Sequence, residues 1–178
     1  MTDPNHDIPA PSPWVVEHLS RIGAGEARVL DLAAGRGRHA MAVLDRGHRV
    51  LAVDRDCGGL AQLDDRAGAM EVLEWDLENG TPWPFVDEKF KAVLVVNYLH
   101  RDTLLQTMKL VDTGGVLIYE TFGSGNGHFG RPSNPDFLAK PGEIAEIARD
   151  LGFWLVADDF LEVTEPTPAI KTRVVAIG

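Results

Sequence analysis

The chain has 178 residues, 44% hydrophobic and 25% charged, with a formal net charge of −10. That length suits one domain around one core, and the acidity speaks against a surface built to grip nucleic-acid backbones, which needs a basic face. The one cysteine, Cys57, excludes an internal disulfide or a cysteine-based zinc site and fits a reducing, cytoplasmic setting.

Residues 1–11, "MTDPNHDIPAP", are polar and proline-rich. They read as a loose arm without the basic start and apolar core of a secretion signal, and residues 12–178 as a single domain. Ser12 is an N-cap and Pro13 a first helical residue for "PWVVEHLSRI". "ARVLDLA" is then a buried strand, and "GRHAMAVLDRG" a helix closed by Gly47. "HRVLAVD" is a second strand, followed by a short helix, "CGGLAQLDDRA", weakened by Gly58 and Gly59. "AMEVLEWD" is a third strand, and "FKAVLVVNYL" a fourth whose continuous apolar run implies burial on both faces. "RDTLLQTMKLV" is a helix and "TGGVLIYETF" a fifth strand. After an irregular stretch, "PGEIAEIARDLG" is a helix.

"FWLVADDFLEV" and "AIKTRVVAIG" complete the chain as two strands joined by "TEPTP". That connector is too short for a crossover helix, so the two strands form an antiparallel hairpin. The whole predicts an α/β, Rossmann-like three-layer sandwich: a mostly parallel seven-stranded sheet with helices on both faces and a C-terminal antiparallel hairpin. No apolar run approaches the ~20 residues of a membrane helix. The six histidines are scattered, with no pair at metal-ligand spacing.

The stretch that points to function is "LDLAAGRGRHA". Gly35-Arg36-Gly37-Arg38-His39-Ala40 fits G-x-G-x-x-A between a strand and a helix, a place where backbone approaches a nucleotide-like ligand closely. Asp54 ends the second strand, where an acidic side chain meets ribose hydroxyls in such folds; the alternative is a strand-end turn residue. Asp31 ends the first strand, four residues before Gly35. A carboxylate there repels a pyrophosphate and attracts an ammonium or sulfonium. A ligand with ribose, adenine and a cationic methionine end is S-adenosyl-L-methionine. Asp76 ends the third strand, placed either to accept from an adenine amine or to cap a turn.

With "HRVLAVDRD", "WDLENGTPWPF", "VVNYLHRDTL", "TGGVLIYETF" and "GHFGRPSNPDFLAKPGE", this loop resembles class I S-adenosylmethionine-dependent methyltransferases. It is most similar to small bacterial members described as tellurite-resistance-like. The resemblance implies that Asp31, Ala33, Gly35 and Gly37 surround the methionyl part and that Asp54, with Arg55 beside it, meets the ribose. It further implies Asp76 and Leu77 at adenine, Asn97 at the methionyl end or the transferred methyl, and S-adenosyl-L-homocysteine as product. Related sequences often carry Cys or Gly where Ala34 stands; Ala is also small.

Chemistry is expected at the carboxyl ends of the fourth and fifth strands. His100 is a candidate base because its ordinary pKa lies near neutrality; the alternative is a histidine that packs or caps a helix start. Glu120 is a candidate base or anchor for a cationic acceptor, or else the partner of an arginine. The aperiodic run 122–141, with anchors Phe122, Phe129, Phe137 and Leu138, is expected to be an ordered lid over the acceptor. Its polar candidates are His128, Arg131 and Asn134, with Arg131 suited to an anionic acceptor through paired hydrogen bonds. Nearly all of the chain is used by the core. That favours a small-molecule acceptor, or a homodimer partner that completes the site; no nucleic acid, membrane or metal is expected. Two other classes are an NAD(P)-binding oxidoreductase domain, disfavoured by Asp31 and the hairpin, and a non-catalytic S-adenosylmethionine-binding regulator.

Overall fold

The computed structural model describes residues 8–178; residues 1–7 of the expected arm lie outside the described residues. Seven strands form one sheet in the order β3-β2-β1-β4-β5-β7-β6. The first five, β1 (Arg28–Leu32), β2 (Arg49–Asp54), β3 (Met70–Glu74), β4 (Phe90–Val96) and β5 (Val111–Phe122), run parallel. β6 (Trp154–Val163) and β7 (Ala169–Ile177) are the expected antiparallel pair. β7 lies inside the sheet, antiparallel to β5 as well, and β6 takes the edge. This insertion sets Arg173 opposite Glu120 and Lys171 opposite Phe122.

Alternation along the central strands divides the core in two. Leu30, Leu32, Val93, Val95, Leu117 and Tyr119 face one side, under α3 (Arg101–Lys109) and α4 (Glu143–Asp150). Val29, Ala52, Leu94 and Val116 face the other, under α1 (Pro13–His18) and α2 (Arg38–Leu44). β4 is buried from Ala92 to Val96, as a strand covered on both faces must be.

Helix α1 starts where the sequence predicts: the Ser12 hydroxyl accepts from the Val15 N–H at 3.4 Å, with Pro13 in the first turn. The Ser12 N–H donates to His39 Nε2 at 3.0 Å, and Arg38 donates to the Ala10 carbonyl, so residues 10–12 are held against α2. Burial pushes the His39 pKa down to about 3, with the neighbouring Arg38 and Lys171 charges adding to it.

The short helix expected over 57–67 is not there. It shrinks to one 3₁₀ turn, Leu60–Gln62. Two glycines disfavour helix, and the Asp56 carboxylate accepts from the Gly58 N–H at 3.0 Å, a local turn that competes with it. Leu60 is nonetheless fully buried, behind the glycine loop.

Candidate functional site

Between β1 and α2 the backbone turns sharply. Ala33 (φ 57°), Gly35 (φ 57°) and Gly37 (φ 81°) all have left-handed φ. A Cβ on Gly37 would come within 2.5 Å of Leu63 Cδ1 and 2.7 Å of Leu60 Cδ2. A Cβ on Gly35 would meet nothing within 4 Å, so the outer side of the loop is open. The Gly35 N–H donates to Asp54 Oδ2 at 2.7 Å, and the Asp56 N–H donates to Asp54 Oδ1 at 3.1 Å. Asp54 is therefore a strand-end turn residue that also fixes the loop.

Asp31 lies beneath this loop, 1% exposed. Its Oδ2 has no hydrogen-bond partner. Burial pushes its pKa up to about 7, against a backbone hydrogen bond from Ala40 and the nearby Arg38 charge, which pull it down. A buried carboxylate with an unused oxygen is suited to a cationic partner.

The loop opens onto a cavity of about 510 Å³. Ala33, Asp54, Arg55, Asp76, Leu77 and Asn97, all expected cofactor residues, line it. Trp75 and Tyr98 line it as well. Asp76 also caps a turn, its Oδ1 accepting from the Glu78 N–H at 2.9 Å. Trp83 is core: it is 2% exposed and donates from Nε1 to the Leu77 carbonyl at 3.2 Å, which props Leu77 against the cavity. Asn97 is a non-glycine residue at φ 59°, a strained conformation of a kind that clusters at binding sites.

Asn97 and Phe122 also line a second cavity, of about 530 Å³, so the two share a wall. Glu120, Arg131, Arg38, Lys171 and Arg173 line the second one. Glu120 is 3% exposed and accepts from Arg173 Nε at 2.7 Å, so here the arginine-partner alternative is the observed one. Lys171 Nζ donates to Asn97 Oδ1 at 2.6 Å and sits 3.6 Å from the centroid of the Phe122 ring. Burial pushes the Lys171 pKa down to about 8, opposed by Glu120 and reinforced by Arg38 and Arg173.

The run 122–141 borders both cavities. Pro132 and Phe137 line the first, and Phe129 and Arg131 the second. Buried Asn126 orders it by donating to the Pro132 carbonyl at 3.0 Å and accepting from the Ile170 N–H at 3.0 Å. Arg101 holds the far end through Glu143 (2.6 and 3.0 Å) and the carbonyls of Asp136 (2.7 Å) and Leu138 (3.0 Å).

Residues 29–113 match the sequence profile of a family described as "Methyltransferase domain". That match covers just under half of the chain. Its fold is that of TehB from Haemophilus influenzae (TM-score 0.72, 16% identity, covering 97% of this chain and 64% of that one). It is also that of 1,6-didemethyltoxoflavin-N1-methyltransferase from Burkholderia thailandensis, solved with 1,6-didemethyltoxoflavin and S-adenosylhomocysteine (TM-score 0.67, 23% identity, 93% and 76% covered). Magnesium protoporphyrin IX methyltransferase from Synechocystis, solved with bound S-adenosylmethionine, is a third similar structure (TM-score 0.66, 17% identity, 92% and 76% covered). The chain thus spans under two thirds of the TehB structure's length. No curated protein sequence matches it. Its fold is thus shared with structures solved with bound S-adenosylhomocysteine and S-adenosylmethionine.

The other expected catalytic residues fall as follows. His100 lines neither cavity; its Nδ1 lies 3.3 Å from Thr103 Oγ1 at the start of α3, the position of a helix-start histidine. His128 faces a separate shallow pocket, and Asn134 caps a 3₁₀ turn by accepting from the Asp136 N–H at 3.1 Å. Lys171 was missed. A lone lysine in a strand carries no local signal, and only its register opposite Phe122 brings it to the cavity wall. Among the described residues no group of three or more His, Cys, Asp or Glu is placed to hold a metal, and no helix is long and apolar enough to cross a membrane.

Proposed function

We propose that this protein is a cytoplasmic enzyme that transfers a methyl group from S-adenosylmethionine, held in the first cavity, to a small-molecule acceptor held in the second. The observation that carries this reading is the shared wall: Asn97 and Phe122 border both cavities, so a donor and an acceptor would meet there. Bound S-adenosylmethionine supplies an electrophilic methyl on a sulfonium. In this reading Asp31 balances the cationic methionyl end, and the Gly35–Gly37 loop lets backbone approach it. Asp54 and Arg55 meet the ribose, Asp76 and Leu77 the adenine, and Asn97 orients the methionyl end toward the wall.

Methyl transfer depends mainly on in-line approach and exclusion of water. Segment 122–141 covers both cavities as the lid, pinned by Asn126 and Arg101. Arg131 grips the acceptor. Glu120, committed to Arg173, positions that arginine. Lys171, bonded to Asn97 at the wall, adds positive charge on the acceptor side. The similarity to TehB and the motifs "NYLHR" and "FGRPSNPDFL" support the tellurite-resistance-like subgroup. The label does not fix the acceptor, because one fold serves many.

The test is calorimetric titration of S-adenosylhomocysteine, with NADH in parallel. The expected result is binding of S-adenosylhomocysteine and none of NADH. Asp54→Ala is expected to weaken it ~10-fold or more, the worth of a hydrogen bond to a charged group. Asp54→Asn, which keeps an acceptor for the Gly35 N–H, separates ligand contact from loop order. Binding of NADH alone would overturn the reading.

A further inference from the structure

The second cavity is electrostatically unlike the rest of the molecule. The chain as a whole carries −10, yet among the described residues Arg38, Arg131, Lys171 and Arg173 face this cavity against only Glu120 and Glu165. Glu120 is taken by Arg173. Lys171 has only the neutral Asn97 amide and the Phe122 ring as close partners. Among the described residues, Arg38 donates to the Ala10 carbonyl, and neither Arg38 nor Arg131 has a carboxylate partner. Among the described residues, three cations thus converge on one space without matching carboxylates. Burial lowers the Lys171 pKa, Glu120 opposes that, and the neighbouring Arg38 and Arg173 charges add to it.

We propose, building on the methyl-transfer reading above, that the acceptor is a small organic anion. Its carboxylate or phosphate is held by Arg38, Arg131 and Lys171, and its apolar body lies against Phe122 and Phe129.

Arginine suits this role because its planar donors pair with both oxygens of a carboxylate or phosphate. An anion also relieves the crowding of three cations in a partly desolvated space, where charge interactions are strong. The apolar half of the argument comes from Phe122 and Phe129 together with Pro11, Pro13, Val163 and Pro168 in the lining. A cavity of about 530 Å³ lies within the range of whole organic ligands. A bare inorganic oxyanion would leave most of it empty. The groups that set the proton balance at Lys171 are Glu120 on β5, Arg173 on β7, and Arg38 and neutral His39 on α2.

The experiment uses the full chain saturated with S-adenosylhomocysteine and matched probe pairs read by ligand-observed NMR: benzoate against benzamide, indole-3-carboxylate against its amide, and phenyl phosphate against phenol. Sodium phosphate is the inorganic control. The expected result is that the charged member of at least one pair binds ten times or more tighter than its neutral partner and than inorganic phosphate. Arg131→Gln and Lys171→Gln should each cut that affinity tenfold or more. Arg131→Gln lies on an exposed loop residue and keeps the test valid if Lys171→Gln fails to fold. Equal binding of neutral probes, no binding of any probe at millimolar concentration, or indifference to Arg131→Gln would overturn the proposal. So would equal binding of inorganic phosphate. Failure of S-adenosylhomocysteine to bind the wild type, with the anion preference intact, would instead overturn the methyl-transfer reading.

Discussion

Asp31→Asn tests whether the buried carboxylate serves the ligand at the expense of the fold. Burial raises the Asp31 pKa from an ordinary 3.8 to about 7. The folded state therefore holds a proton that the unfolded chain releases between these two values, and stability falls as pH rises through that window. Below pH 3.8 both states are protonated and nothing is lost. Above about 7 both are ionised and the loss is complete, at most ~4 kcal/mol at ~1.4 kcal/mol per pH unit. Asn keeps the shape and an oxygen for the Ala40 N–H without the charge. Urea unfolding of both proteins at pH 5, 6, 7 and 8 should show the variant gaining on the wild type with rising pH, until it is more stable by ~2–4 kcal/mol at pH 8. The same variant should lose most of its affinity for S-adenosylhomocysteine, whose ammonium loses its counter-charge. A stability difference that does not change with pH, or a variant weaker than wild type at pH 8, would refute the account of Asp31 as a strained, unpaired carboxylate.

Gly37→Ala places a methyl at a left-handed φ and against Leu60 and Leu63. It should cost ~2 kcal/mol in chemical denaturation from backbone strain alone, and S-adenosylhomocysteine binding should weaken with it. Arg101→Ala removes two hydrogen bonds to Glu143 and two to loop carbonyls. Because the pair is partly solvated, the global cost should be only ~1–2 kcal/mol, whereas limited proteolysis within 123–141 should become clearly faster.

Local patterning made much of this molecule legible. β1, β2 and β4 are short apolar runs bounded by turn residues, and their order with intervening helices implies a parallel sheet. Asp31, Asp54 and Asp76 could be placed because each lies at or beside the carboxyl end of a strand, and strand ends in such a sheet face one crevice. The Ser12 cap needed only the neighbouring residues. The helix expected over 57–67 failed because its apolar residues, Leu60 among them, are used as plugs behind Gly37, a tertiary role that periodicity cannot separate from a helix face. Nothing local marks Asn126 as the pin of segment 122–141, since its two partners, Pro132 and Ile170, belong to different parts of the chain.

The sequence by itself determined the strand-loop-helix frame, the glycine loop with its acidic neighbours, and the antiparallel direction of the last two strands. Chain connectivity, side-chain periodicity and backbone sterics suffice for these. Only the tertiary structure decided that β7 enters the sheet beside β5 and in which register. That register sets Arg173 on Glu120 and Lys171 over Phe122, neutralising one charged group and delivering another to the wall between the cavities. A strand's pairing partner is chosen by the packing of the whole sheet, so residues fifty positions apart acquire their roles only when that packing is complete.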